Sequence, residues 1–183
     1  MYKRQDLTTT LNLPPEKDPK KAFAIVKQEF EKRYDQTWFP SYGFENTYVF
    51  LVRKDTAEKY NLKKVSDLKN VADQLVAGVD TSWITRKGDG YDGFQTTYGF
   101  SFDSILPMQI GLVYDAVEAG KMDIVLGYST DGRIASYDLV MLEDDRNFFP
   151  PYDAAPVVDN QVLKNTPGLE EALNKLGNTI STC

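Results

Sequence analysis

Three tyrosines, Tyr48, Tyr128 and Tyr152, stand where their type and placement suggest a chemistry. Tyr48 sits in an aromatic and β-branched run close to Asn46. Tyr128 ends the apolar run Ile124-Val125-Leu126-Gly127, and Tyr152 follows Asn147-Phe148-Phe149-Pro150-Pro151. In open α/β sheets, ligands collect at the carboxyl ends of strands. A tyrosine ring offers a negative π-face and has few torsions to freeze. Several rings around one point can therefore cage a quaternary ammonium, which has no strong hydrogen bond to donate. Taken alone, tyrosines are more often half-buried packing or surface residues. Arg86, in the stretch Ser82-Trp83-Ile84-Thr85-Arg86-Lys87, either clamps a carboxylate through two parallel hydrogen bonds or lies exposed in its loop.

Composition removes most other chemistries. The 183 residues include no His, which excludes a Ser-His-Asp triad, a Cys-His pair and every His-containing metal site. The single Cys is Cys183, the last residue, and reads as a frayed terminal thiol. Glu143-Asp144-Asp145 lacks the spacing of a calcium loop and reads as a solvated strand end. Gly88-Asp89-Gly90-Tyr91-Asp92-Gly93 does not follow a strand in a phosphate-loop pattern and reads as a turn with a helix cap. No catalytic residue, cofactor or metal is expected. Lys and Arg total 21 against 27 Asp and Glu, a net charge of −6. That balance argues against general nucleic-acid binding and against anionic membrane surfaces. No apolar run reaches the ~18 residues of a membrane span, and no leader is visible.

The elements that must position these residues alternate between helical and strand periodicity, which predicts an α/β fold. Asp18-Pro19 opens a helix to about Tyr34, with Phe23, Val26 and Phe30 on one face. Strands are expected over Thr47–Val52, Leu75–Val79, Ile124–Tyr128 and Leu139–Leu142. Short helices are expected over Ala57–Tyr60 and Asp67–Val71, capped by Thr56 and Ser66. Further helices are expected from an Asp89 cap to Tyr98, over Met108–Ala119, after Asp131, and from near Pro167 to Gly177.

Several separated motifs, in order, make the chain resemble the substrate-binding proteins of osmoprotectant ABC transporters. They are Leu7-Thr8-Thr9 with Leu13-Pro14-Pro15; Tyr42-Gly43-Phe44-Glu45-Asn46-Thr47-Tyr48; Arg86-Lys87-Gly88-Asp89-Gly90-Tyr91; and Tyr98-Gly99-Phe100. Tyr128-Ser129-Thr130-Asp131-Gly132 and Leu142-Glu143-Asp144-Asp145 with Phe149-Pro150-Pro151-Tyr152 complete the series. The resemblance implies a type II periplasmic-binding-protein-like bilobal α/β fold that closes on glycine betaine, carnitine, choline or proline betaine. It implies that Tyr48, Tyr128 and Tyr152 cage the trimethylammonium group. It implies that Asn46 lines the pocket through its backbone carbonyl and that Arg86 meets a ligand carboxylate. It further implies ABC permease subunits as partners, possible fusion to one of them, and an extracytoplasmic location.

The resemblance also divides the chain. Residues 1–5 read as a non-native leader joined to an N-terminally truncated gene, with a signal or anchor lost. Residues 6–38 are then a remnant of the first lobe, 39–144 the complete second lobe, and 145–183 the return to a partial first lobe. The first-lobe segments are expected to pack poorly or to expose the face of Phe23, Val26 and Phe30. Binding by such a stretch alone is expected to be weak or absent. The alternative function is the effector-binding domain of a regulator with the same bilobal fold. A hydrolase built on acidic residues such as Asp131 is a further class, separable by whether the site holds paired carboxylates.

Overall fold

The apolar runs resolve into seven strands among the described residues: β1 (Gln36–Trp38), β2 (Tyr48–Arg53), β3 (Val76–Asp80), β4 (Ser104–Met108), β5 (Ile124–Tyr128), β6 (Leu139–Met141) and β7 (Val157–Asp159). The computed structural model describes Leu7, residues 10–14, Glu16, residues 18–150 and residues 152–180. The expectations for residues 1–5, Thr8-Thr9, Pro15, Pro151 and Cys183 lie outside the described residues. The chain divides into two units: residues 1–47 with 150–183, and residues 48–149.

The continuous unit is a mixed five-stranded sheet in the order β4-β3-β5-β2-β6. β3 runs parallel to β4 and β5, while β2 is antiparallel to β5 and β6. β5 is central, and Ile124 to Gly127 are all buried, so its sequence is a continuous apolar run with no polar alternation. Side-chain alternation then feeds two cores. Phe50, Val52, Ile124 and Leu126 join Trp83, Phe94 and Phe102 on one face. Leu51 and Val125 join Val113, Tyr114 and Val117 on the other.

Met108 closes β4, and the helix that follows is only Val113–Glu118. The expected helix over Met108–Ala119 is therefore corrected. Pro107 hid the strand: β4 is an edge strand, where a missing N–H costs no ladder bond. The caps also differ. Thr56 lies inside the helix Lys54–Tyr60, and the Asp67 carboxylate receives the Lys63 and Lys64 N–H groups at 3.0 Å each. The glycine-rich stretch is a tight turn into the helix Tyr91–Tyr98, with Gly90 rather than Asp89 at its cap. A Cβ on Gly93 would lie 2.1 Å from the Gly88 carbonyl oxygen, so close backbone approach explains that glycine.

The other unit is assembled from both ends of the chain. Asp18 caps the helix Pro19–Tyr34, accepting the Lys20 and Lys21 N–H groups at 2.9 and 3.0 Å. Val26 and Phe30 are buried with Leu7, Leu11, Ala22, Trp38 and Ala155, and Phe23 packs against them. This face is therefore covered, contrary to the expectation of an exposed stripe. Phe30 meets Trp38 edge-on at 5.4 Å, and β1 pairs antiparallel with β7 over Gln36↔Asp159 to Trp38↔Val157. The helices Asn160–Asn165 and Leu169–Lys175 bury no residue fully.

Replacing Gly93 with Ala should lower unfolding free energy by about 1–3 kcal/mol, because the added methyl meets rigid backbone. Urea denaturation checks this; an unchanged midpoint would exclude the close approach.

Candidate functional site

The antiparallel register of β2 and β5 puts Tyr48 directly opposite Tyr128. Their ring centroids lie 5.0 Å apart with planes tilted by 31°. Tyr48 is buried and Tyr128 half-buried. Phe149 adds a third ring, 5.9 Å from Tyr48. Because β3 and β5 are parallel and β2 is antiparallel to β5, the start of β2 and the ends of β3 and β5 meet at one end of the sheet. The Asp80 carboxylate, at the end of β3, therefore reaches the Tyr48 hydroxyl at 3.1 Å.

Arg86 comes to the same place from the loop after the helix Thr81–Ile84. Its Nη2 donates to the Tyr48 hydroxyl at 3.1 Å, and its guanidinium carbon lies 5.2 Å from the Tyr48 ring centroid. Its Nη1 meets the buried Asp89 carboxylate at 3.4 Å. Arg86 is thus a half-buried, ion-paired side chain and not a loose loop arginine. Burial pushes the Tyr48 phenol well above its usual range; the neighbouring Tyr128 hydroxyl adds to this, and the Arg86 charge opposes it.

Tyr128 is held from behind. Its N–H donates to the Tyr114 hydroxyl at 2.7 Å. That hydroxyl occupies the space over Gly127, where a Cβ would lie 2.8 Å from it. Arg133 covers the Tyr114 ring with its guanidinium carbon 4.1 Å from the centroid. Arg133 is anchored by Asp131, through Nε at 3.0 Å and Nη2 at 2.9 Å, and by the Gly111 carbonyl at 2.7 Å. Burial pushes the Tyr114 phenol up to about 12. The Arg133 side-chain hydrogen bonds hold the Asp131 carboxyl below its usual value, against the opposing effect of burial.

Asp144 also does more than end a strand in water. Its carboxylate accepts the Tyr98 hydroxyl and the N–H groups of Phe148 and Phe149, at 3.0 and 2.7 Å for the two amides. It thereby fixes the backbone that carries Phe149.

The structure brings Tyr48, Tyr128 and Arg86 together in the continuous unit. Asn46 and Tyr152 lie together in the other unit, where the Asn46 N–H donates to the Tyr152 carbonyl at 3.2 Å. Both are half-buried. Sequence reasoning missed Asp80, Tyr114 and Phe149. The signal for Asp80 was present: it is the acidic residue at the end of an apolar parallel strand.

Fold and site together define a type II periplasmic-binding-protein-like α/β chain with aromatic rings at its strand ends. Residues 6–182 match the family model described as the substrate-binding domain of ABC-type glycine betaine transport systems. The chain belongs to that family. It is 54% identical over 181 residues to the carnitine transport binding protein OpuCC of Listeria monocytogenes, covering 99% of this chain and 59% of that protein. It is 32% identical to the Helicobacter pylori ergothioneine transport permease/ergothioneine binding protein EgtU, covering 87% of this chain and 29% of that protein. A crystal structure of a glycine betaine/carnitine/choline ABC transporter superposes with a TM-score of 0.92 at 55% identity, covering 99% of this chain and 66% of that one. The chain thus spans less than two thirds of these relatives. The family is a class of transport substrate-binding proteins and not a class of enzymes.

Tyr114→Phe should cost about 1–3 kcal/mol, because the Tyr128 amide loses its acceptor; denaturant unfolding reads it. The Asp131 contribution has a definite sign. A carboxyl depressed in the folded state stabilises above its ordinary pKa, and that contribution fades as pH falls through the folded value. The stability gap between the parent and Asp131→Asn should be full above about pH 5 and vanish in stronger acid, as followed by thermal melting. A gap independent of pH would exclude the ion pair as its source.

Proposed function

We propose that this chain is the solute-binding part of an ABC importer for quaternary ammonium osmoprotectants: glycine betaine, carnitine, choline or proline betaine. The observation that carries the reading is the Tyr48–Tyr128 ring pair, held 5.0 Å apart by strand register beside an arginine. Tyr48, Tyr128 and Tyr152 are the proposed cage rings. Asn46 is the proposed backbone-carbonyl contact, and Arg86 the proposed partner for the carboxylate of betaine-type ligands. The arrangement suits a cation that cannot donate hydrogen bonds, since ring faces attract it without demanding one.

Residues 39–144 are proposed as one lobe, with 6–38 and 145–183 contributing to the other. The names of the relatives support the ligand class: a carnitine transport binding protein at 54% identity and a glycine betaine/carnitine/choline transporter structure at 55%. The working partners are then permease subunits in the membrane, and the working place is outside the cytoplasm. Among the described residues no helix is long and apolar enough to cross a membrane.

Calorimetric titration of the native gene product with glycine betaine, carnitine and choline tests the proposal. Tyr48→Ala or Tyr128→Ala should each weaken binding about 2–30-fold, from ~0.5–2 kcal/mol per ring. Loss of both rings without effect on affinity would overturn the cage.

A further inference from the structure

Asp80 is a buried carboxylate at the ring cluster. It is only 8% exposed. Its carboxylate accepts the Tyr48 hydroxyl at 3.1 Å and also the Ser82 hydroxyl. Among the described residues no Lys or Arg approaches it within ion-pairing distance; the nearby Arg86 is paired with Asp89 instead. A buried carboxylate held only by hydroxyls is expensive unless a cation completes the site.

The Asp80 carboxylate reaches the Tyr48 ring directly through the ring's own hydroxyl. A phenol donating to a carboxylate is polarised toward phenolate, which makes its π-face more negative and more attractive to a cation. Arg86, on the same hydroxyl, pulls the other way. Asp80 and Arg86 therefore set opposite biases on one ring: Asp80 toward a ligand with net positive charge, Arg86 toward a ligand that also carries a carboxylate.

We infer that Asp80 is a specificity-determining residue, acting through the Tyr48 hydroxyl, that favours a net-cationic quaternary ammonium alcohol over a zwitterionic trimethylammonium carboxylate. The inference rests on Tyr48 being a cage ring. It is tested by titrating the native gene product and its Asp80→Asn variant with choline and with glycine betaine. Asp80→Asn should weaken choline about tenfold and glycine betaine no more than about threefold, because the zwitterion's own carboxylate cancels most of the field. A purely structural role would weaken both alike, so the ratio of the two dissociation constants is the deciding quantity. Equal losses, or an unmoved ratio, overturn the inference while leaving the cage intact. Binding of neither ligand by the parent protein overturns the cage reading and this inference together. Should Asp80→Asn fail to fold by circular dichroism, Asp80→Ser decides instead. It removes the carboxylate, leaves the Arg86 link to the Tyr48 hydroxyl in place, and should shift the ratio the same way; an unshifted ratio overturns the inference.

Discussion

The pairing of β2 with β5 is the constraint on which the continuous unit depends. It sets Tyr48 against Tyr128, Phe50 against Leu126 and Leu51 against Val125. Those pairs supply both cores as well as the ring cluster. A slip of one residue would exchange the two faces, putting Leu51 where Phe50 packs against Trp83 and Phe94. Registers that expensive to change are well specified, so the rings at the sheet end inherit their placement from the core.

Around the rings, polar groups are arranged in relays. Asp131 orients Arg133, Arg133 covers Tyr114, and Tyr114 holds the Tyr128 amide. Asp144 holds the amides of Phe148 and Phe149. Tyr48 stands between Arg86 and Asp80. Each ring is thus fixed by a neighbour whose own position is fixed by a hydrogen-bonded charge. Stiff rings suit a ligand recognised by fit and charge.

The legible parts of the sequence were those with strong local patterns. β5 reads as a continuous apolar run, and the helix Pro19–Tyr34 carries its Asp18 cap and its proline start. β4 was illegible because Pro107 contradicts a strand unless the strand is known to be at an edge, which is a property of the sheet. β1 and β7 are three residues each and exist through their long-range pairing. Tyr48, Tyr128 and Arg86 were visible as candidates by residue type. The hydroxyl link from Tyr48 to Asp80 was not, because strand register, rather than spacing, places residues 32 positions apart in contact. The cover on Phe23, Val26 and Phe30 comes from Leu7, Leu11, Trp38 and Ala155, which periodicity alone could not supply.

The way the units divide the chain has a consequence for how the protein is made. Residues 48–149 are continuous, whereas the other unit joins residues 1–47 and 150–183. The Thr37 hydroxyl bonds with Asn160, 123 positions away. During synthesis the continuous unit has all its strands once Phe149 has emerged, and its contacts close early. β1 must wait, with Trp38 and the helix before it, until β7 is translated. The order of assembly is therefore written into the threading: the ring pair and its sheet have all their strands first, and the discontinuous unit closes only once its C-terminal part has been translated.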